Sequence, residues 1–199
     1  MIVRRAFAVL LFAPCAFAPG PALAASQSIA DLPDGGYALE ANQSSITAQV
    51  MHLGVSFYTL RFDGFRATLA YDPAHPEAAR VRATVDATSL DVGADYSGRF
   101  AQEFLAADKF PTVTFVSTRI EPGVGGHGTM TGDLTLRGVT RPVTFEVAFD
   151  GVGKGLFGGV LAGFTATTTI KRSEFGSDFL QNVVGDAVKI EIQAEFARK

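Results

Sequence analysis

The run from Met130 to Val147, MTGDLTLRGVTRPVTFEV, decides the fold class. In its first half Met130, Leu134 and Leu136 share one side, while Thr131, Asp133 and Thr135 share the other. In its second half Val143, Phe145 and Val147 oppose Thr144 and Glu146. Successive side chains of a strand point to opposite faces, so each half makes a strand with one apolar and one wet face. Arg137-Gly138-Val139-Thr140-Arg141-Pro142 between them carries the Gly and Pro of a connection, which predicts an antiparallel hairpin. The pattern alone says no more, since any β-rich domain contains such a hairpin.

The same period extends in both directions. Ser45 to His52 alternates, with Ile46, Ala48 and Val50 on one side and Thr47 and Gln49 on the other. Phe57 to Asp72 is a long strand pattern in which Asp63-Gly64 predicts a bend or bulge, and Asp72-Pro73-Ala74-His75-Pro76 a turn. Val81 to Leu90 and Thr112 to Ile120 follow as strands. Between them the period changes: Phe100, Phe104 and Leu105 or Ala107 fall at three-to-four spacing, one short amphipathic helix over Ser97 to Ala107. Phe110-Pro111 ends it. Val160 to Ile170 and Val188 to Phe196 return to alternation. About eight to nine strands and one helix predict an all-β antiparallel barrel or sandwich. An interior rich in Gly, Ala and Phe suits a barrel that holds one slender ligand better than a solid core of Leu and Ile.

The 199 residues suffice for one domain with a full core; two small domains would fit the length, but no Pro/Ser-rich linker divides the chain. A hydrophobic content of 47% with 19% charged residues is globular. The formal charge of −3 argues against a nucleic-acid binder, because phosphate contacts need a basic surface, so no nucleic-acid partner is expected.

The first residues read as an export signal. Arg4-Arg5 is a short positive region, Ala6 to Phe17 is mostly apolar, and Ala22-Leu23-Ala24 is a small-x-small site. Residues 1–24 are therefore expected to be cleaved, by ordinary secretion or, as the minor alternative, by a twin-arginine route. Residues 25–36 form a polar lead-in with little to pack, and residues 37–199 form the domain. The only cysteine, Cys15, falls in the signal, leaving the mature chain without disulfide or thiolate. Without Arg4 and Arg5 the balance is 15 basic against 20 acidic residues, a net −5. An acidic, exported, periplasmic domain is expected.

No constellation of catalytic residues stands out. A metal would need His52, His75 and His127 to converge from a strand end, a turn and a Gly loop, and no pair has ligand spacing, so no metal is expected. Gly153-Lys154-Gly155-Leu156-Phe157-Gly158 matches a dinucleotide fingerprint but precedes a Val/Thr-rich strand, not a helix; it reads as a hairpin loop. No nucleophile elbow is present, and Glu40, Asp63, Asp133 and Asp186 do not define an acid/base pair. No enzyme and no cofactor are expected.

Gly132-Asp133-Leu134-Thr135-Leu136-Arg137-Gly138-Val139-Thr140-Arg141-Pro142-Val143 is similar to the G-x-L-T-x-R-G-V-T-R-P-V motif of the YceI-like family, periplasmic polyisoprenoid-binding proteins of lipocalin-like fold. The resemblance runs from about Tyr37 to the C-terminus. Supporting matches are His52-Leu53-Gly54-Val55-Ser56, Phe104 with Lys109-Phe110-Pro111 and Thr114-Phe115, Lys171-Arg172-Ser173-Glu174-Phe175-Gly176, and Val184-Gly185-Asp186. The chain departs from the family's pattern at Gln43-Ser44-Ser45, Leu60-Arg61-Phe62 and Asp95-Tyr96-Ser97-Gly98.

The resemblance implies a lipocalin-like β-barrel of about eight strands holding a long isoprenoid or related lipid, polyprenyl or quinone-type, without catalysis. Phe62, Phe65, Phe115, Phe145 and Phe164 are the candidates for tail contacts, with plain core packing as the alternative role. His52, Arg172 and Asn182 are the candidates for the head group; Arg172 could hold a pyrophosphate or serve a structural ion pair. The expected partners are the lipid and, transiently, a membrane or membrane-bound redox protein. The alternatives are an enzyme acting on prenyl-phosphate lipids and a stress-responsive interaction protein without ligand.

Overall fold

The computed structural model describes residues 25–93 and 95–199. The export segment expected over residues 1–24 lies outside the described residues, and Cys15 with it. Among the described residues the strands are β1 (Gly35–Leu39), β2 (Ser45–His52), β3 (Ser56–Phe62), β4 (Phe65–Tyr71), β5 (Arg80–Asp86), β6 (Leu90–Asp91), β7 (Thr112–Pro122), β8 (His127–Leu136), β9 (Val139–Lys154), β10 (Val160–Lys171) and β11 (Val184–Arg198). One α-helix, α1 (Ser97–Leu105), lies between β6 and β7.

These strands make eight positions of a closed antiparallel barrel. β4, β5, β7, β8, β9, β10 and β11 pair in that order, and β1 joins β4 to β11, closing the ring. β2, β3 and β6 continue β1, β4 and β5 in their own positions: β11 pairs with β1 over its last residues and with β2 over the rest. The expected break at Asp63-Gly64 separates β3 from β4, and Gly64 suits it because a Cβ there would stand 3.1 Å from Asp86 and 3.2 Å from Ser89. At about 3.3 Å per residue and a tilt near 40°, the 15 residues of β11 span roughly 40 Å along the axis, a tall barrel for eight strands.

The deciding hairpin is tighter than its sequence suggested. The connection is Arg137-Gly138 alone, and Val139 already pairs with Leu136. Both turn residues take positive φ, 52° and 74°, as a two-residue turn matched to strand twist requires. Gly138 is needed twice over, since a Cβ there would lie 2.5 Å from the Phe110 ring. Pro142 sits inside β9 opposite Asp133, beyond the stretch that β10 pairs, where its missing N–H leaves no gap between β9 and β10.

The barrel has two unlike ends. At one, here the helix-bearing end, lie the β2–β3 turn, α1, the β8–β9 turn and the β10–β11 connection. At the other, the N-terminal end, lie the start of β1 and the loops after β4, β7 and β9. The lead-in expected to have little to pack is in fact part of this second end. Ser26 pairs with Val152 of β9, Leu32 is 1% exposed, and Tyr37 donates its hydroxyl to Pro33 O at 2.6 Å. One buried leucine in a polar stretch has no periodicity to announce it, so its burial was not legible.

Candidate functional site

The inward side chains do not fill the barrel. They leave a cavity of about 730 Å³, reaching from Ile29 and Pro76 at the N-terminal end to Tyr58, Phe104 and Leu180 at the helix-bearing end. Its cause is local. Ala48, Ala67, Ala83, Ala166 and Ala194 stand on the wall where larger residues would meet across the axis. Behind the wall, Gly132 makes room for Phe115: a Cβ there would lie 2.4 Å from the Phe115 ring and 2.5 Å from Val116 O. A glycine in mid-strand thus lets Phe115 lie flat against β8.

All five expected tail residues stand on this wall: Phe62, Phe65, Phe115, Phe145 and Phe164. They do not form one cluster. Phe115 and Phe145 are buried and meet edge-to-face at 5.3 Å in mid-barrel. Phe164 contacts Phe149 and Phe196 toward the N-terminal end, at 5.3 and 6.1 Å. Phe62 lies beside α1 with Leu60 and Phe100. The line of phenylalanines follows the lumen, giving it an aromatic wall along its length.

The three polar candidates separate. His52 is exposed at the end of β2, on the cavity rim, opposite Ser56 and Val184. Asn182 is exposed and off the wall. Arg172 is 5% exposed and on the wall, but its guanidinium is occupied by the chain itself. Nε donates to Gly185 O at 3.1 Å, Nη1 to Ser177 O and Phe179 O at 3.0 and 2.9 Å, and Nη2 to Val184 O at 2.9 Å. Four of five N–H donors therefore pin the β10–β11 connection. Among the described residues the oppositely charged close pairs are Arg61–Asp63, His75–Glu77 and Arg119–Glu121, so Arg172 is not in an ion pair. Burial pushes its pKa below the ordinary arginine value, and the charges of Asp186 and Asp178 oppose that shift.

Around Arg172 the helix-bearing end is tied together. Its guanidinium stacks 5.5 Å from the Phe104 ring, and Tyr96, Phe100, Phe104 and Phe179 follow one another at 5.6, 5.5 and 5.2 Å. Arg137 of the β8–β9 turn reaches the last turn of α1, donating to Glu103 O and Phe104 O at 3.3 and 3.1 Å. Asp186, in the bulge of β11, accepts from Ser173 N and Oγ, both at 2.8 Å. Those two bonds hold its carboxyl below the usual aspartate range, with Arg172 and Lys171 adding. Phe100 and Phe104, expected as the apolar face of a helix, are also cavity wall, together with Tyr58, Tyr96 and Leu180.

The lining can hold an apolar chain. Its few polar side chains include His52 and Arg172 at the helix-bearing end and Glu121 and His127 at the N-terminal end, and among the described residues no group of His, Cys, Asp and Glu could hold a metal ion. Nor, among them, is any helix long and apolar enough to cross a membrane.

The chain is similar to known proteins over most of its length. The YceI-like domain profile matches residues 37–196. A Pseudomonas putida protein described as a UPF0312 protein is 33% identical over 179 residues, covering 88% of each chain. The crystal structure of Burkholderia cenocepacia BcnA superposes with a TM-score of 0.72 at 26% identity, covering 79% of this chain and 98% of that one. A Saccharophagus degradans domain described as polyisoprenoid binding, and as implicated in plant cell wall breakdown, has a TM-score of 0.62, covering 82% and 98%. At 15% identity that last likeness concerns the fold alone.

Proposed function

The chain belongs to the YceI-like family, and we propose that its barrel is a non-catalytic carrier for a long isoprenoid or related amphiphile, polyprenyl or quinone-type, in the periplasm. The observation that carries this reading is the cavity: about 730 Å³, continuous, and lined almost wholly by carbon. At about 30 Å³ per small group, the share of one water in the liquid, it takes on the order of 25 carbons. Burying that many CH₂-sized groups yields roughly 20 kcal/mol gross at about 0.8 kcal/mol each. Association and ordering offset about 4–15 kcal/mol of it, which leaves useful affinity without any covalent step.

Two features support the finer reading. The shifted carboxylates, Asp86 and Asp186, are each accounted for by the bonds they accept, from Thr88 and Ser173, and neither lines the cavity. The unpaired charge of Arg172 favours an anionic or polar head at the helix-bearing end, with the tail directed past Phe115 and Phe145. There the head would meet the field of the guanidinium and its one free N–H, with His52 at the rim.

A plugged lumen tests this. Ala166→Phe puts a ring into mid-barrel; it should weaken binding of a fluorescent prenyl alcohol about tenfold or more while the protein still melts cooperatively. Unchanged binding by a folded Ala166→Phe protein would place the lipid elsewhere. Release of phosphate from prenyl pyrophosphates by the wild type would replace the carrier reading with an enzymatic one.

A further inference from the structure

The helix-bearing rim shows an apolar surface that the fold itself does not require. Leu53 is 60% exposed, Val55 84%, Phe57 63%, Tyr96 56% and Leu180 40%. Tyr96 and Leu180 are at the same time cavity wall, so the inner apolar surface runs out onto the rim. Leu53 and Leu180 are held at φ 52° and 53°, the left-handed region. A leucine there costs about 1–2 kcal/mol, where Gly or Asn would sit at less cost. Two residues thus carry a backbone penalty and an exposed apolar side chain together, a local conflict of the kind found where a surface is used.

The charge pattern says for what. Between Glu40 and Arg61 the chain has no Asp, Glu, Lys or Arg, although it has 37 such residues in all, 17 basic and 20 acidic. This stretch supplies β2, the β2–β3 turn and most of β3. The segment after Phe175 that carries Leu180 adds one charge, Asp178. A rim whose longest segment is uncharged, with the carboxylates of Asp95 and Asp178 beside Tyr96 and Leu180, matches a lipid surface of no net charge better than an anionic one, which those carboxylates would repel.

We propose that the rim formed by Leu53, Val55, Phe57, Tyr96 and Leu180 docks the mouth of the barrel onto a lipid surface without net charge. The inference rests on the reading of the cavity as a lipid site, and gives that site its place of loading. A prenyl chain then moves from bilayer to lumen along Leu180 and Tyr58 without crossing water. Leu156 and Phe157 at the tip of the β9–β10 hairpin are 83% and 99% exposed, but they lie at the opposite end and do not line the cavity.

The test uses the purified full chain and phosphatidylcholine vesicles, with two readouts: protein floating with vesicles, and transfer of a fluorescent prenyl alcohol from them. Leu53→Asn with Leu180→Asn keeps side chains that accept left-handed backbone while removing the apolar groups. Vesicle binding and transfer rate should both fall about tenfold or more, with the melting temperature unchanged or higher. Leu156→Ser with Phe157→Ser should leave both readouts as in the wild type. The proposal is overturned if the wild type does not bind the vesicles, if the rim variant binds them equally well, or if the hairpin-tip variant alone loses binding. A rim variant whose only effect is to dissolve a dimer in sedimentation would assign the rim to a second copy of the chain. Vesicle binding that depends on the rim without any prenyl uptake would leave docking standing and remove the carrier reading.

Discussion

The two ends of the barrel solve the same problem, an apolar lumen facing water, in opposite ways. At the N-terminal end the chain crosses its own opening. Ser26 bridges to Val152, Ile29 and Ala30 reach the lumen, and Leu32 disappears into a cluster with Tyr37, Tyr71 and Phe149. At the helix-bearing end α1 covers part of the opening, and the rest of the rim is left apolar and bare. Among the described residues, the four non-glycine residues with positive φ, Leu53, Ala106, Arg137 and Leu180, are all at that end. One end is built for burial; the other accepts strain and exposure, which are tolerated where something binds.

The largest loss of stability is expected at Arg172. Arg172→Met removes four donors and strands four carbonyls around the β10–β11 connection, at a cost of about 3–5 kcal/mol. Thermal unfolding should show a Tm lower by about 10 °C, and Arg172→Lys should not restore it, since an ammonium cannot span the same fork of carbonyls. Next comes the opposite end. Leu32→Ala should cost about 2–4 kcal/mol in denaturant titration and speed release of a bound prenyl probe in stopped flow, because it loosens the crossing segment. Between the ends, Gly132→Ala sets a methyl against the Phe115 ring and should cost about 1–3 kcal/mol.

The smallest effects are in pH, and they have opposite signs. At the helix-bearing end Asp186 has a folded pKa below its unfolded value near 4. Its contribution is complete above that value and is lost as pH falls through the folded one, so the gap in stability between wild type and Asp186→Asn should close in acid. At the N-terminal end burial raises the Tyr37 and Tyr71 phenols above about 10. Their contribution is complete below that value and is lost as pH rises through the folded one. Denaturant midpoints against pH should then show Tyr71→Phe gaining on the wild type only in alkali.

Much of the barrel was legible because a strand's period is two and apolar alternation marks its inner face. That is why Phe62, Phe65, Phe115, Phe145 and Phe164 all reach the lumen wall, and why the break at Asp63-Gly64 and the helix at Phe100 and Phe104 stand where expected. The rim was not legible. Asn182 and Leu180 belong to a connection without period, where neighbours two apart need not share a face. Arg172 finds its partners among backbone carbonyls, which leave no trace in side-chain identity. The left-handed leucines run against the preference of their residue type, so no pattern announces them. Gly138 marked the family, and its reason is the Phe110 ring beneath it.

Whether the lumen holds one long apolar chain can be read by native mass spectrometry of the purified chain, stripped of lipid and then offered a polyprenol at micromolar concentration. One added ligand mass per chain is expected, lost in Ala166→Phe. A bare protein mass for the wild type at every polyprenol and fatty-acid concentration tried would contradict it.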